Sequence, residues 1–153
     1  MEVKSKPNNI YNVDSFIAIK EIQDKSIDLV YIDVPYLYDT GGCGSSELSK
    51  RIIKVDKYLE DANIVSGFDY SILDELVRVM KKVNIVIWFS KLQMQDILNY
   101  FMNLKDKIIY FEPLVWCKTN PTTVTNNTWL PDFEYAFHFR GQGVPLNDGY
   151  HIK

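Results

Sequence analysis

The sequence predicts a doubly wound, mostly parallel α/β sheet, and three observations carry that expectation. Two strand-length runs, 27–32 (Ile-Asp-Leu-Val-Tyr-Ile) and 85–89 (Ile-Val-Ile-Trp-Phe), are mostly apolar, as in strands covered on both faces of a parallel sheet. Between and after them apolar side chains recur at helical spacing, first Ile72, Leu73, Leu76, Val77 and Met80, then Met94, Ile97, Leu98 and Phe101. The 153 residues, 46% hydrophobic and 14% aromatic, supply one sizeable core and no second, so residues 1–153 read as a single domain.

Taken in order, residues 9–14 form a short extended run ending in an acid, and Phe16, Ile17, Ile19 and Ile22 then follow at helical spacing with Asp14 or Ser15 as N-cap. A polar break precedes the 27–32 strand, which ends at Asp33-Val34-Pro35-Tyr36. Periodicity weakens from Leu37 to Ser66; the glycine-rich stretch 40–46 reads as part of a mobile loop, followed by a short basic helix near 49–58. Residues 68–83 resume a helix capped by Asp69 or Ser71, 85–89 are a buried strand, and Ser90 with Gln93 has capping-box spacing for the next helix. A strand beginning at Lys107 or Ile108 runs to Trp116; a polar loop over 117–131 leads to a last strand, 133–140, able to run antiparallel to its neighbour. In such folds ligands bind outside the carboxyl ends of the strands, which selects Asp14, Asp33 to Tyr36, Ser90, and Trp116 to Asn120.

Several function classes are disfavoured. No apolar run approaches the roughly 20 residues of a membrane-spanning helix, and the start, Met1 to Pro7, lacks a signal-peptide core, so a cytoplasmic protein with no membrane partner is expected. Cys43 and Cys117 lie far apart, and only His138 and His151 are available to join them, so no metal is expected. A net charge of −3 argues against gripping nucleic acid by bulk charge, although Lys50, Arg51, Lys54 and Lys57 make a local basic cluster. The glycines at 41, 42 and 44 are followed by no Lys-Ser or Lys-Thr, which removes a nucleoside triphosphate loop. His138 reads as a structural histidine, and Trp88 and Phe89 as core.

Asp33-Val34-Pro35-Tyr36 joins a carboxylate, a rigid turn and an aromatic ring at a strand end. A carboxylate beside a fixed backbone carbonyl can accept both protons of an exocyclic amine, while the tyrosine ring stacks on the base that carries it. Amino-group methylation has those needs, because the amine lone pair is delocalised into the ring until its protons are held out of plane, and the base must first leave the helix.

With this motif the chain resembles the DNA amino-methyltransferases that modify adenine N6 or cytosine N4, whose signature is Asp-Pro-Pro-Tyr or Ser-Pro-Pro-Tyr. The resemblance runs through residues 9–14 and 26–36 and returns in 116–121 (Trp-Cys-Lys-Thr-Asn-Pro) and 130–135 (Leu-Pro-Asp-Phe-Glu-Tyr). It implies a Rossmann-like methyltransferase sheet and a chain that is the catalytic and target-binding part of such an enzyme. Asp33 and the carbonyl of Val34 would accept the amine protons, Pro35 would fix the turn, and Tyr36 would stack on the flipped base; aspartate in first place favours adenine. Asp14 and Asp33 would contact S-adenosylmethionine. Trp116, Lys118 and Asn120 would flank the target pocket, and Lys50, Arg51 and Lys54 would face DNA.

Two departures qualify the resemblance. Val34 replaces the first proline of the usual pair, keeping the carbonyl and losing one ring constraint. The sequence also contains no Asp-Pro-Phe-x-Gly-x-Gly block, which in the permuted branch beginning with the present motif comes last. The S-adenosylmethionine site is therefore expected to be incomplete, with the sheet's cofactor-side strands missing and the 27–32 strand left with an unpaired flank. A second chain would supply those strands, or the chain would form a homodimer, or the N-terminal strand would move in to close the gap. The alternatives to a methyltransferase fragment or subunit are a non-catalytic relic or decoy that binds DNA or a methyltransferase, and a different nucleotide-binding α/β protein.

Overall fold

The computed structural model describes residues 8–38, 50, 54, 57–58, 60–61, 65–104, 107–108, 110–121, 129 and 132–146. Its elements are α1 (Ser15–Ala18), a 3-10 turn (Ile19–Glu21), β1 (Val30–Asp33), α2 (Ile72–Val79), β2 (Asn84–Phe89), α3 (Met94–Met102), β3 (Tyr110–Cys117) and β4 (Phe133–Arg140). The strands form one mixed sheet in the order β1-β2-β4-β3. β1 and β2 are parallel, and β4 lies antiparallel between β2 and β3, so that β1, β2 and β3 share one direction. The expected α/β class stands, with the last strand inserted against the others.

The core lies on one face of this sheet. Ile85, Ile87 and Phe89 of β2 are at most 1% exposed and meet Leu73 of α2, Ile97 and Phe101 of α3, and Phe137 and Phe139 of β4. Phe101 stacks on Phe139 at 4.4 Å between ring centroids, and Phe111 of β3 stacks on the same ring at 5.3 Å. In α2 the buried positions Ile72, Leu73, Leu76 and Val79 follow helical spacing. Its N-cap is Ser71, whose own side chain makes no capping bond; the Asp69 carboxylate accepts from the Ser71 N–H at 2.9 Å, and hydrogen bonding to Ser71 holds the Asp69 pKa below the ordinary value. The helix stops short of 83 because Met80 turns extended and bridges Ile27. Arg78 ties this helix to the N-terminal segment, donating to the carbonyls of Ile19 and Ile22 at 2.9 Å each and pairing with Asp24 and Glu75.

The opposite face carries none of the labelled helices. By register and alternation it bears two cross-strand rows, Tyr31–Val86–His138–Glu112 and Asp33–Trp88–Ala136–Leu114. Tyr31 is 66% exposed there, and Trp116 57%.

Three expectations are corrected. Residues 9–14 form no strand, and Ile10 stands fully exposed, because no described strand lies beside it to complete its hydrogen bonds. The N-terminal segment therefore does not close the sheet. The strand expected over 27–32 is confined to Val30–Asp33 and alternates half-buried with exposed, because β1 is the sheet's edge and only one of its faces is covered. In the capping box before α3 the serine side chain plays no part. Ser90 Oγ is buried without a partner among the described residues, so the box is half made: only the Gln93 side chain bonds as the spacing predicts, accepting from the Ser90 N–H at 3.0 Å. Among the described residues, no helix is long and apolar enough to cross a membrane.

Candidate functional site

The Asp33-Val34-Pro35-Tyr36 turn leaves the carboxyl end of β1 and is held at successive backbone positions. The Val34 side chain is buried in the core at 3% exposure, and its N–H donates to the Trp88 carbonyl at 3.4 Å. The Pro35 carbonyl accepts from Gln93 Nε2 at 2.9 Å, and the Tyr36 carbonyl from the Gly67 N–H at 3.4 Å. Gly67 has a φ of +75°, a conformation that glycine reaches without steric cost. Beyond it Ser66 bridges Leu37, and the Val65 carbonyl accepts from the Tyr38 N–H at 3.1 Å, so residues 65–67 brace the strand's exit.

These anchors leave Asp33 and Pro35 exposed and Tyr36 half-buried. The Tyr36 phenol is pushed far above its ordinary pKa, first by burial, then by the charges of Asp33 and Glu134, and by its hydrogen bond to Asp33. An ionised carboxylate has about four lone-pair sites, so one phenol bond leaves Asp33 able to accept from an amine. The Tyr36 ring lies 5.8 Å from that of Tyr38, tilted by 49°.

From the far side of the sheet, Glu134 accepts from Lys118 Nζ at 2.6 Å, while the Lys118 N–H donates to the Asp132 carbonyl at 2.7 Å. Trp116 sits opposite Glu134 in the β3–β4 pair.

The structure joins Asp33, Val34, Pro35 and Tyr36 in one turn, pairs Lys118 with Glu134, and leaves Trp116 and Asn120 exposed at and beyond the end of β3. Asp14 caps α1, accepting from the Phe16 N–H at 2.7 Å. Lys50 and Lys54 are exposed and helical, whereas Arg51, the glycine-rich stretch and Cys43 lie outside the described residues. His138 Nε2 lies 3.0 Å from Asn84 Oδ1, in keeping with a structural role. Among the described residues, no cluster of three His, Cys, Asp or Glu is placed to hold a metal. A cavity of about 470 Å³ lined by Lys25, Lys81, Lys82 and Lys107 sits beside Val83 and Gly141, at the opposite end of β2 from the turn.

Sequence reasoning missed Gln93, Glu134 and Gly67 as neighbours of the turn. A glutamine three residues after Ser90 was legible only as a helix cap; its second bond spans 58 positions and has no local signature.

No family model matches the chain. In sequence it is 29% identical over 118 residues to the type II methyltransferase M2.LlaDCHI of Lactococcus lactis subsp. cremoris, an alignment covering 73% of this chain. The chain is thus a relative of a DNA methyltransferase. It spans about 42% of that relative's length. The crystal structure of the M1.HpyAVI–SAM complex is similar with a TM-score of 0.49 and 16% identity, covering 92% of this chain and 60% of that one.

Proposed function

We propose that this chain carries the target-base side of a site-specific DNA methyltransferase that modifies adenine N6, with S-adenosylmethionine as donor and DNA as partner. The observation that carries the reading is the turn at the end of β1, where the Asp33 carboxylate, the adjacent Val34 carbonyl and the Tyr36 ring stand together on a braced backbone. Asp33 and Val34 would hold the two amine protons of a flipped adenine, localising the nitrogen lone pair, while Tyr36 stacks on the ring. Lys118, Trp116 and Asn120 would border the base, and Lys50, Arg51 and Lys54 would meet phosphate.

Bound S-adenosylmethionine would supply an electrophilic methyl group. The described residues show the base-facing turn in full and, apart from Asp33, only one acid expected to contact this donor, Asp14, one of whose carboxylate oxygens accepts from the Phe16 N–H. No step through the donor is therefore assigned to this chain. The reading makes the chain a fragment or subunit whose donor site is completed by a second chain or a second copy of itself.

The test is transfer of a labelled methyl group from S-adenosylmethionine to unmethylated DNA, with Asp33→Ala alongside. Transfer by the wild type that is lost in the variant, and lost on DNA already methylated at adenine N6, is the expected result. A folded chain that binds DNA equally well with and without Asp33→Ala, and that supports no methyl transfer even when the cofactor-binding half of a DNA methyltransferase is added, would instead establish the non-catalytic reading.

A further inference from the structure

The hydrogen-bond ladder between β1 and β2 ends one rung early. Asp33 is opposite Trp88, so the next position sets Val34 opposite Phe89. In a parallel pair such a residue donates to the carbonyl before its opposite number and accepts from the N–H after it. Val34 makes the first bond, to the Trp88 carbonyl at 3.4 Å. The second would bring the Ser90 N–H to the Val34 carbonyl, but that N–H goes to Gln93 Oε1 at 3.0 Å. The same side chain gives Nε2 to the Pro35 carbonyl at 2.9 Å, and the Gln93 N–H returns to the Ser90 carbonyl at 2.9 Å.

Gln93 is only 1% exposed, and an amide buried that deeply is costly unless both of its ends are bonded. Capping α3 needs only an acceptor for the Ser90 N–H, which leaves the bond to Pro35 unexplained by the helix. The geometry points to Gln93 as a positioning residue: it takes the N–H that would close the ladder, holds the turn through Pro35, and so keeps the Val34 carbonyl open for an amine proton. The use of that carbonyl rests on the function proposed above; the diverted rung does not.

Scalar couplings across hydrogen bonds in the isotope-labelled chain test the inference directly. The wild type is expected to show coupling from the Ser90 nitrogen to the Gln93 side-chain carbonyl carbon, and none to the Val34 carbonyl carbon. Gln93→Met, similar in length and without polar atoms, is expected to release the rung, so that Ser90–Val34 coupling appears. Gln93→Glu, which keeps the acceptor and loses the donor to Pro35, retains the wild-type pattern at Ser90 and covers the case in which the methionine variant fails to fold. Ser90–Val34 coupling in the wild type, in Gln93→Glu, or its absence from folded Gln93→Met would overturn the inference.

In methyl transfer, Gln93→Met is expected to lower kcat about tenfold, the scale of one lost hydrogen bond, with KM for DNA unchanged. A released rung with unchanged kcat would overturn the positioning role. If the wild type transfers no methyl group, the couplings alone decide whether Gln93 holds the carbonyl open.

Discussion

Asp33 stands directly opposite Trp88 in the parallel β1–β2 pair, on the sheet face away from the core. The Trp88 indole donates to the Tyr31 hydroxyl at 2.6 Å, and the two rings lie 6.4 Å apart. The carboxylate therefore rises from the edge of an aromatic floor, with its own strand exposed on the outer side. A planar base next to Asp33 would have apolar surface below it and Tyr36 beside it, while its amine reached the strand end.

That arrangement separates two roles of Tyr36, whose hydroxyl bonds Asp33 and whose ring is available for stacking. Tyr36→Phe keeps the ring and frees the carboxylate, so methyl transfer is expected to stay within about threefold of wild type. Tyr36→Ala removes the stack, worth about 1–3 kcal/mol per base, and is expected to lower kcat/KM by about 5- to 150-fold. Labelled-methyl incorporation measures both, and equal losses in the two variants would refute stacking as the ring's role.

Stability rests on the aromatic layer under the sheet. Phe101 is completely buried, stacked on Phe139 at 4.4 Å and edge-on to Tyr100 at 5.1 Å. Phe101→Ala is expected to cost about 3–5 kcal/mol in urea unfolding. Trp129→Ala, at a residue 96% exposed, is expected to change stability by less than about 0.5 kcal/mol. A loss at Phe101 below about 1.5 kcal/mol would mean that the ring is not packed as described.

The contrast between these two aromatics shows what the sequence made legible. Ile85, Ile87 and Phe89, and the helical sets around Leu73 and Phe101, carry their burial pattern within single segments, so strand, helix and inward face could all be read from spacing. The turn at Asp33 was legible because proline marks it. The run 9–14 has strand character, but a strand exists only beside another, and Ile10 finds none among the described residues. Residues 27–32 looked covered on both faces, because composition records what a strand tolerates and says nothing about which neighbours are present. Gln93 was half legible: its local bond to Ser90 follows from spacing, whereas its bond to Pro35 requires the β1–β2 register.

His138, opposite Val86 in the β2–β4 pair, makes stability depend on pH. Burial and the nearby Arg140 guanidinium push its pKa below the ordinary 6.5, and Glu112 opposes them. The unfolded chain therefore takes up this proton first as pH falls. The neutral imidazole's contribution is complete above about pH 6.5 and is lost as pH drops through that value to the lower folded pKa. In urea titrations between pH 8 and 5, His138→Gln is expected to lose stability less steeply than wild type. Equal slopes would show that this imidazole is not held neutral by the fold.

The outer side of β1 supplies the last prediction. Among the described residues β1 is the edge of the sheet, and Tyr31 within it and Leu29 just before it are 66% and 51% exposed. Such an edge offers unpaired backbone groups to another strand. If a second copy completes the sheet, the wild-type chain sediments as a dimer as its concentration rises. Tyr31→Asp, which also removes the acceptor of the Trp88 indole, then sediments as a monomer throughout with an unchanged far-UV spectrum, because a charge on an edge strand opposes pairing. A wild type that stays monomeric would reassign the edge to a different polypeptide, and the variant would then be tested against that partner. A dimer untouched by Tyr31→Asp would place the contact elsewhere and remove β1 from the assembly.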